Sequence, residues 1–248
     1  MFRRSFPAPS PPWWVWKSGA GRDRRGNLHA IHHWQARVGR VQHNAYFNGG
    51  HSFSRDGSNW TFSPVASYTK NISFTDGSWS VMGRRERPGL LLDENWSTPL
   101  VLFTSVGSPH GPESWLQSQP IRQTADPAQG GGACRADEDC NLNGVCAEGK
   151  CACDAQWDGA SCGVLALEPA SKDGGYRRPG FNGWGGNPWY DPHDKRYHVF
   201  TVEMTKGCLI NDCTRASLLR IPAPAVSLTT SDMLACRHYQ QPACPRDL

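Results

Sequence analysis

The sequence predicts an all-β chain organised around a small disulfide-rich module, and three observations carry that prediction. Six of the ten cysteines fall between Cys134 and Cys162. Tryptophan (11), glycine (26) and proline (19) are plentiful while stretches of helical period are hard to find, a mix that favours short strands joined by turns. Finally, a polar turn leads into an apolar strand three times: Asp23–Asn27 into LHAIHH, Asp93–Thr98 into PLVLFTSV, and Asp191–Arg196 into YHVFTVEM.

The totals bound the rest. A chain of 248 residues makes one or two domains. Mean hydropathy is −0.58, and no apolar run approaches the ~18 residues of a membrane span. The net charge of +4 is too small and too scattered to argue for a nucleic-acid partner. No cofactor is implied.

Taken in order, residues 1–21 read as a disordered leader, rich in Pro and Trp. Prolines interrupt any apolar core of the kind an export signal needs, so the true start is expected to lie upstream. Residues 22–122 read as a strand meander. Asn48-Gly49-Gly50, Asp56-Gly57 and Asp76-Gly77 mark turns, strand LLL occupies 90–92, and PLVLFTSV follows at 99–106. Residues 123–133 are a Gly-rich linker, 134–162 the Cys-rich module, and 172–221 a second strand-rich segment. The tail, 222–248, loses strand pattern; Cys236 and Cys244 there, with Cys208 and Cys213, could form two further bridges.

The module's spacing is C-x5-C-x5-C-x4-C-x-C-x8-C. Only Leu142, Val145 and Trp157 within it are large and apolar, too little for a core, so covalent closure must substitute for burial. Zinc is the rival use of clustered cysteines, but the stretch holds no His, and C-x-C is tighter than the usual zinc knuckle. A disulfide module requires an oxidising compartment. The sequons at Asn59, Asn71 and Asn95 agree with that, and the expected location is extracellular or cell-surface. Spacing alone leaves the pairing open. The C-x-C pair, the x8 gap and Trp157 with Gly159 resemble an EGF-like module. That resemblance implies Cys134–Cys146, Cys140–Cys151 and Cys153–Cys162.

The flanks carry a second resemblance. RGNLHAIHHW, GGHSFSRDGSNW and RRERPGLLL resemble late blades of five-bladed β-propellers related to family-43 glycoside hydrolases, and residues 175–204 resemble an early blade. The implied fold is an EGF-like module between two incomplete β-propeller-like segments, a slice through a propeller–EGF–propeller array. Neither flank alone can close a ring at roughly 40–50 residues per blade, although the two could dock on each other as a partial ring.

Candidate sites follow. By that resemblance Glu86, two residues before Pro88, is a general-acid candidate that would protonate a leaving oxygen. Its arginine neighbours are expected to lower its pKa. No matched second carboxylate stands nearby: Asp23 lacks a following Pro, and Asp191-Pro192 and Glu203 lie far along the chain. His51 is the candidate ligand for an ion near a central channel, again by resemblance. His29 and His33 share one strand face and His32 the other. Trp184-Gly185-Gly186 is the candidate carbohydrate-facing element, since paired glycines let a ligand approach the backbone. Asp137-Glu138-Asp139 is misplaced for a calcium-binding EGF-like subtype, and no calcium is expected there.

The functional expectation is an extracellular protein that binds or scaffolds at a carbohydrate-rich surface, with carbohydrate or an extracellular protein as partner. The alternatives are a glycoside hydrolase with Glu86 as acid, or a partial gene product without activity.

Overall fold

The computed structural model describes residues 17–34, 48–126 and 128–204. Strands β1 (Lys17–Arg22), β2 (Leu28–Trp34), β3 (Asn48–Ser54) and β4 (Thr61–Phe62) form an antiparallel sheet in chain order. Residues 17–21, expected in a disordered leader, therefore belong to a strand. The β1–β2 turn is closed by Asp23, whose Oδ1 accepts the N–H groups of Arg25 (2.9 Å) and Asn27 (2.8 Å) while Gly26 takes φ +87°. A short hairpin follows, β5 (Asn71–Ser73) and β6 (Trp79–Val81) around Asp76-Gly77.

Strands β7 (Arg84–Leu92), β8 (Pro99–Gly107) and β9 (Ser114–Pro120) continue as an antiparallel meander. Strand β7 is longer than the LLL run suggests because its charged start is accommodated in the interior. Arg85 is fully buried, donating to Thr104 Oγ1, Gln119 Oε1 and the carbonyls of Thr69 and Asn71. The register slips between Glu86 and Gly89, where Arg87 takes φ +53° and Pro88 offers no N–H to the ladder.

The Cys-rich module follows, with a 3-10 turn at Asp137–Cys140 and strands β10 (Gly144–Ala147), β11 (Lys150–Cys153), β12 (Trp157–Asp158) and β13 (Val164–Leu165). Cys134 bonds Cys146, Cys140 bonds Cys151, and Cys153 bonds Cys162. Residues 130–133, read from sequence as linker, pack along the module instead. The N–H groups of Gly131 and Gly132 donate to the carbonyls of Cys151 (2.8 Å) and Ala160 (2.9 Å). A Cβ on Gly132 would stand 2.4 Å from the Ala160 oxygen, so the glycines serve close approach rather than freedom.

Strand β14 (Gly175–Tyr176) then returns to pair with β9, giving a sheet in the order β14-β9-β8-β7. The module is thus inserted between the third and fourth strands of one sheet. The chain after the module completes the sheet begun before it. Strands β15 (Asn182–Asp191) and β16 (Arg196–Met204) form a hairpin packed on the same sheet. Gly89 and Gly186 permit that packing: a Cβ on Gly89 would meet the Gly186 oxygen at 2.5 Å, and one on Gly186 would meet Leu116 Cδ1 at 2.3 Å. The chain beyond Met204, including Cys208, Cys213, Cys236, Cys244 and the expected irregular tail, lies outside the described residues.

The all-β class is plain, with two four-stranded antiparallel sheets among the described residues. The module shares its core with the sheets. Cys140, Cys151, Cys162, Trp157 and Leu165 cluster with Ile31, Tyr68, Leu102 and Ile121. Its own apolar residues explain why: Leu142 and Trp157 are 1% and 6% exposed, whereas Val145 is 40% exposed. Burying a large side chain is worth about 1.5–3 kcal/mol, and the module obtains that burial from the sheets.

Candidate functional site

A cleft of about 280 Å³ opens where the module, the first sheet and the β15–β16 hairpin meet. Leu90, Leu92 and Ile31 supply apolar lining, Trp96, Trp157 and Trp189 aromatic surface, and Asp23, His29, Asn143 and Gln156 polar groups. Trp96 sits in the β7–β8 turn at φ +57° and is 45% exposed; Trp189, on β15, is 39% exposed and Trp157 is buried. Two accessible indoles beside a set of neutral and acidic groups suit a flat ligand with an apolar face and hydroxyl edges.

Arg25 fixes the junction. Its Nη1 donates to Asp154 Oδ1 at 2.8 Å, its Nη2 donates to Asp154 Oδ2, and Nη2 also reaches the Leu142 carbonyl at 2.9 Å. This bidentate pair joins the β1–β2 turn to the module. Arg55 Nε donates to Glu138 Oε1, with Asp137 3.7 Å from its Nη2, and Arg122 lies 3.6 Å from Asp158. The acids of Asp137-Glu138-Asp139 are engaged in the fold: Asp137 also accepts the Cys146 N–H, and Asp139 accepts that of Arg135.

A polar chain runs inward from the cleft. Asn143 Nδ2 lies 3.5 Å from His51 Nδ1, His51 Nε2 lies 3.1 Å from His29 Nδ1, and His29 Nε2 lies 3.4 Å from Asp23 Oδ2. One set of tautomers satisfies every step: Asn143 donates to His51, His51 to His29, and His29 to Asp23. Burial would push the Asp23 carboxyl up, but the His29 bond and the Asn27 side-chain and backbone bonds outweigh it and hold it well below the usual carboxylate range. His51 is fully enclosed; burial, reinforced by His29 and His32, lowers its pKa well below the usual value. Both ring nitrogens of His51, the residue expected to hold an ion, face polar partners in this chain. His32 turns to the opposite face, where Nε2 meets Ser52 Oγ at 2.9 Å.

Glu86 lies on the inner side of β7, 7% exposed, with Oε2 3.8 Å from His33 Nδ1 and Oε1 without a hydrogen-bond partner among the described residues. Burial raises its pKa against the smaller opposing pull of Arg84 and Arg87. This corrects the sequence expectation, in which the arginines prevailed; it failed because strand alternation carries Arg85 to the other face and leaves Glu86 desolvated. Burial, aided by Arg87, His32 and Arg84, lowers His33 to about 4. Both shifts disfavour an ion pair at this contact. Glu203, the further carboxylate, is taken up by Arg178 (3.2 Å) and the Tyr176 hydroxyl (3.0 Å).

The other expected residues fall elsewhere. Trp184 is only 6% exposed, Gly186 is backed by Leu116, and the Gly185 N–H donates to Ser105 Oγ. This stretch packs the hairpin, with the Trp184 indole buried; the accessible indoles at the cleft belong to Trp96 and Trp189. Asn59, Asn71 and Asn95 are all exposed. Asp191, Asp194 and His198 converge within 4.8 Å at the β15–β16 turn, but the two acids also accept the turn's own N–H groups from His193 and Arg196. Among the described residues no helix is long and apolar enough to cross a membrane.

The inserted module also stands out by sequence. Residues 136–164 match the family model of the Teneurin-like EGF domain. The Teneurin-like EGF match spans Leu142 and Asp154, which hold Arg25, and the cleft residues Asn143, Gln156 and Trp157. No curated protein and no solved structure matches the chain. A Teneurin-like EGF domain closed by three disulfides points to extracellular, oxidising surroundings.

Sequence reasoning missed the cleft because its walls come from distant stretches. One local signal was available: Asp23-x-Arg25-x-Asn27 is an Asx turn that projects an arginine towards whatever packs above it.

Proposed function

We propose that this chain is an extracellular or cell-surface protein that binds saccharide at the junction between its EGF-like module and its sheets. The observation that carries the reading is the cleft of about 280 Å³ with Trp96 and Trp189 half-exposed at its wall and Asp23, His29, Asn143 and Gln156 beside them. A pyranose offers an apolar C–H face to an indole and hydroxyls to carboxylate and amide groups. The Arg25–Asp154 clamp and the shared core preorganise the two halves, so little ordering remains to be done on binding. In this reading the protein attaches to or scaffolds a carbohydrate-rich surface.

The test is calorimetric titration of the full chain with oligosaccharides chosen by array screening. Trp189→Ala and Trp96→Ala should each weaken binding about tenfold, the loss of roughly one stacked ring. Unchanged affinity in both variants, or no saccharide bound by the wild type, overturns the proposal.

A second reading, glycoside hydrolysis with Glu86 as acid, is favoured by one observation: burial raises the Glu86 pKa and Oε1 has no partner among the described residues. Glu86→Gln separates the two. Binding that survives without turnover in either form supports attachment, whereas turnover abolished by the change supports hydrolysis.

A further inference from the structure

Trp79 is 71% exposed, more than any other large apolar side chain among the described residues. It lies on the β5–β6 hairpin, away from the cleft. The hairpin register sets Asn71 opposite Val81 and Ser73 opposite Trp79. Residues directly opposed across an antiparallel pair project from the same face. Asn71, Ser73, Trp79 and Val81 are all exposed, while Ile72 between the first two is fully buried. The outer face of this hairpin thus presents the acceptor amide and the hydroxyl of the sequon Asn71-Ile72-Ser73 beside an uncovered indole and a valine that is 42% exposed.

We propose that an N-linked glycan on Asn71 packs its first pyranose against Trp79 and Val81, so that the protein carries its own cover for this patch. The diagonal from Asn71 to Trp79 is roughly 7–8 Å between backbone positions, a gap that one pyranose ring on the amide nitrogen spans. Its apolar C–H face then meets the indole, and its hydroxyls stay in water.

The strand is held for this role. The Asn71 carbonyl accepts from Arg85 Nη1 at 3.0 Å and its N–H donates to Thr69 Oγ1 at 3.3 Å, so the main chain is anchored. No hydrogen bond among the described residues uses its side-chain amide. At Asn59, by contrast, Nδ2 already donates to Asp56 Oδ2 at 2.7 Å. The modification transfers an oligosaccharide from a polyisoprenyl pyrophosphate donor: the bond from Asn71 Nδ2 to sugar C1 forms, the bond from C1 to the pyrophosphate oxygen breaks, and the amide gives up one proton.

The experiment uses the full chain secreted from mammalian cells, with residue-resolved hydroxyl-radical footprinting read by mass spectrometry. One face of the indole is covered in the glycosylated form, so Trp79 oxidation should rise about twofold in Ser73→Ala, which removes the sequon and keeps Asn71. Trp60 and Trp96 should be unchanged. Trimming the folded wild type to a single N-acetylglucosamine should keep Trp79 protected, and complete removal by an amidase, which hydrolyses the Asn71 side-chain amide to a carboxylate, should expose it. An unmodified Asn71 in the secreted chain, or equal Trp79 oxidation with and without the glycan, overturns the proposal.

Discussion

Acidification from pH 7 to pH 5 is expected to remove about 4 kcal/mol of stability through two buried histidines alone. His32 and His33 are 1% and 5% exposed, and each is lowered from 6.5 to about 4, His32 by burial and His33 by burial together with Arg87, His32 and Arg84. Their folded pKa values lie below the unfolded one, so as pH falls beneath 6.5 the unfolded chain takes up protons that the folded chain refuses. Each site then costs about 1.4 kcal/mol per pH unit until its folded pKa is reached, or about 2 kcal/mol by pH 5. His51, lowered in the same direction, adds to the loss. Glu86 acts with the opposite sign: its raised pKa lets the folded state bind a proton first, which offsets part of the loss. Asp23 is depressed, so its contribution is fully present above the unfolded carboxylate value and is lost only at lower pH. Domains of this size are stable by only about 5–15 kcal/mol, so the change is large. Urea unfolding followed by tryptophan fluorescence at pH 7, 6 and 5 measures it. His32→Gln should halve the two-histidine loss, and a wild-type unfolding free energy that is flat across the range would refute the reasoning.

Two packing predictions test how the parts are joined. Trp157→Ala should destabilise the whole fold by about 3–5 kcal/mol, the cost of emptying a buried aromatic site, and the loss should appear in one unfolding transition because Trp157 packs with residues of both the module and the sheets. Gly89→Ala places a Cβ 2.5 Å from the Gly186 oxygen. It should cost about 1–3 kcal/mol and raise amide exchange in β15 and β16, whereas faster exchange confined to β1–β4 would contradict the packing described.

Local signals were legible and long-range ones were not. The cysteine spacing marked a disulfide module, and Gly57 and Gly77 mark turns with φ of +78° and +82°. Strand LHAIHHW coincides with β2. By contrast Arg84-Arg85-Glu86-Arg87 looks like a solvated charge run. It proved to be the start of β7 because Arg85 finds four hydrogen bonds to neutral acceptors in the interior. Gly130 and Gly132 looked like flexible linker for the same reason: the carbonyls they approach, of Cys151 and Ala160, are distant in the sequence. The cleft was illegible since Trp96, Trp157 and Trp189 are brought together only when β14 folds back onto β9.

That return of β14 has a mechanical consequence. The module is spliced into a sheet at two neighbouring strands, so tension applied between its beginning and end peels β14 from β9 edge-on while shearing the Arg25–Asp154 clamp. A bead on a string would pass the load along the backbone and leave its neighbours at rest. Here the three disulfides shorten the excursion that separates the two strands, and the module acts as a stiff staple across them. Reducing the disulfides lengthens the slack chain, and the sheet would then give way at its β14 edge under a smaller pull.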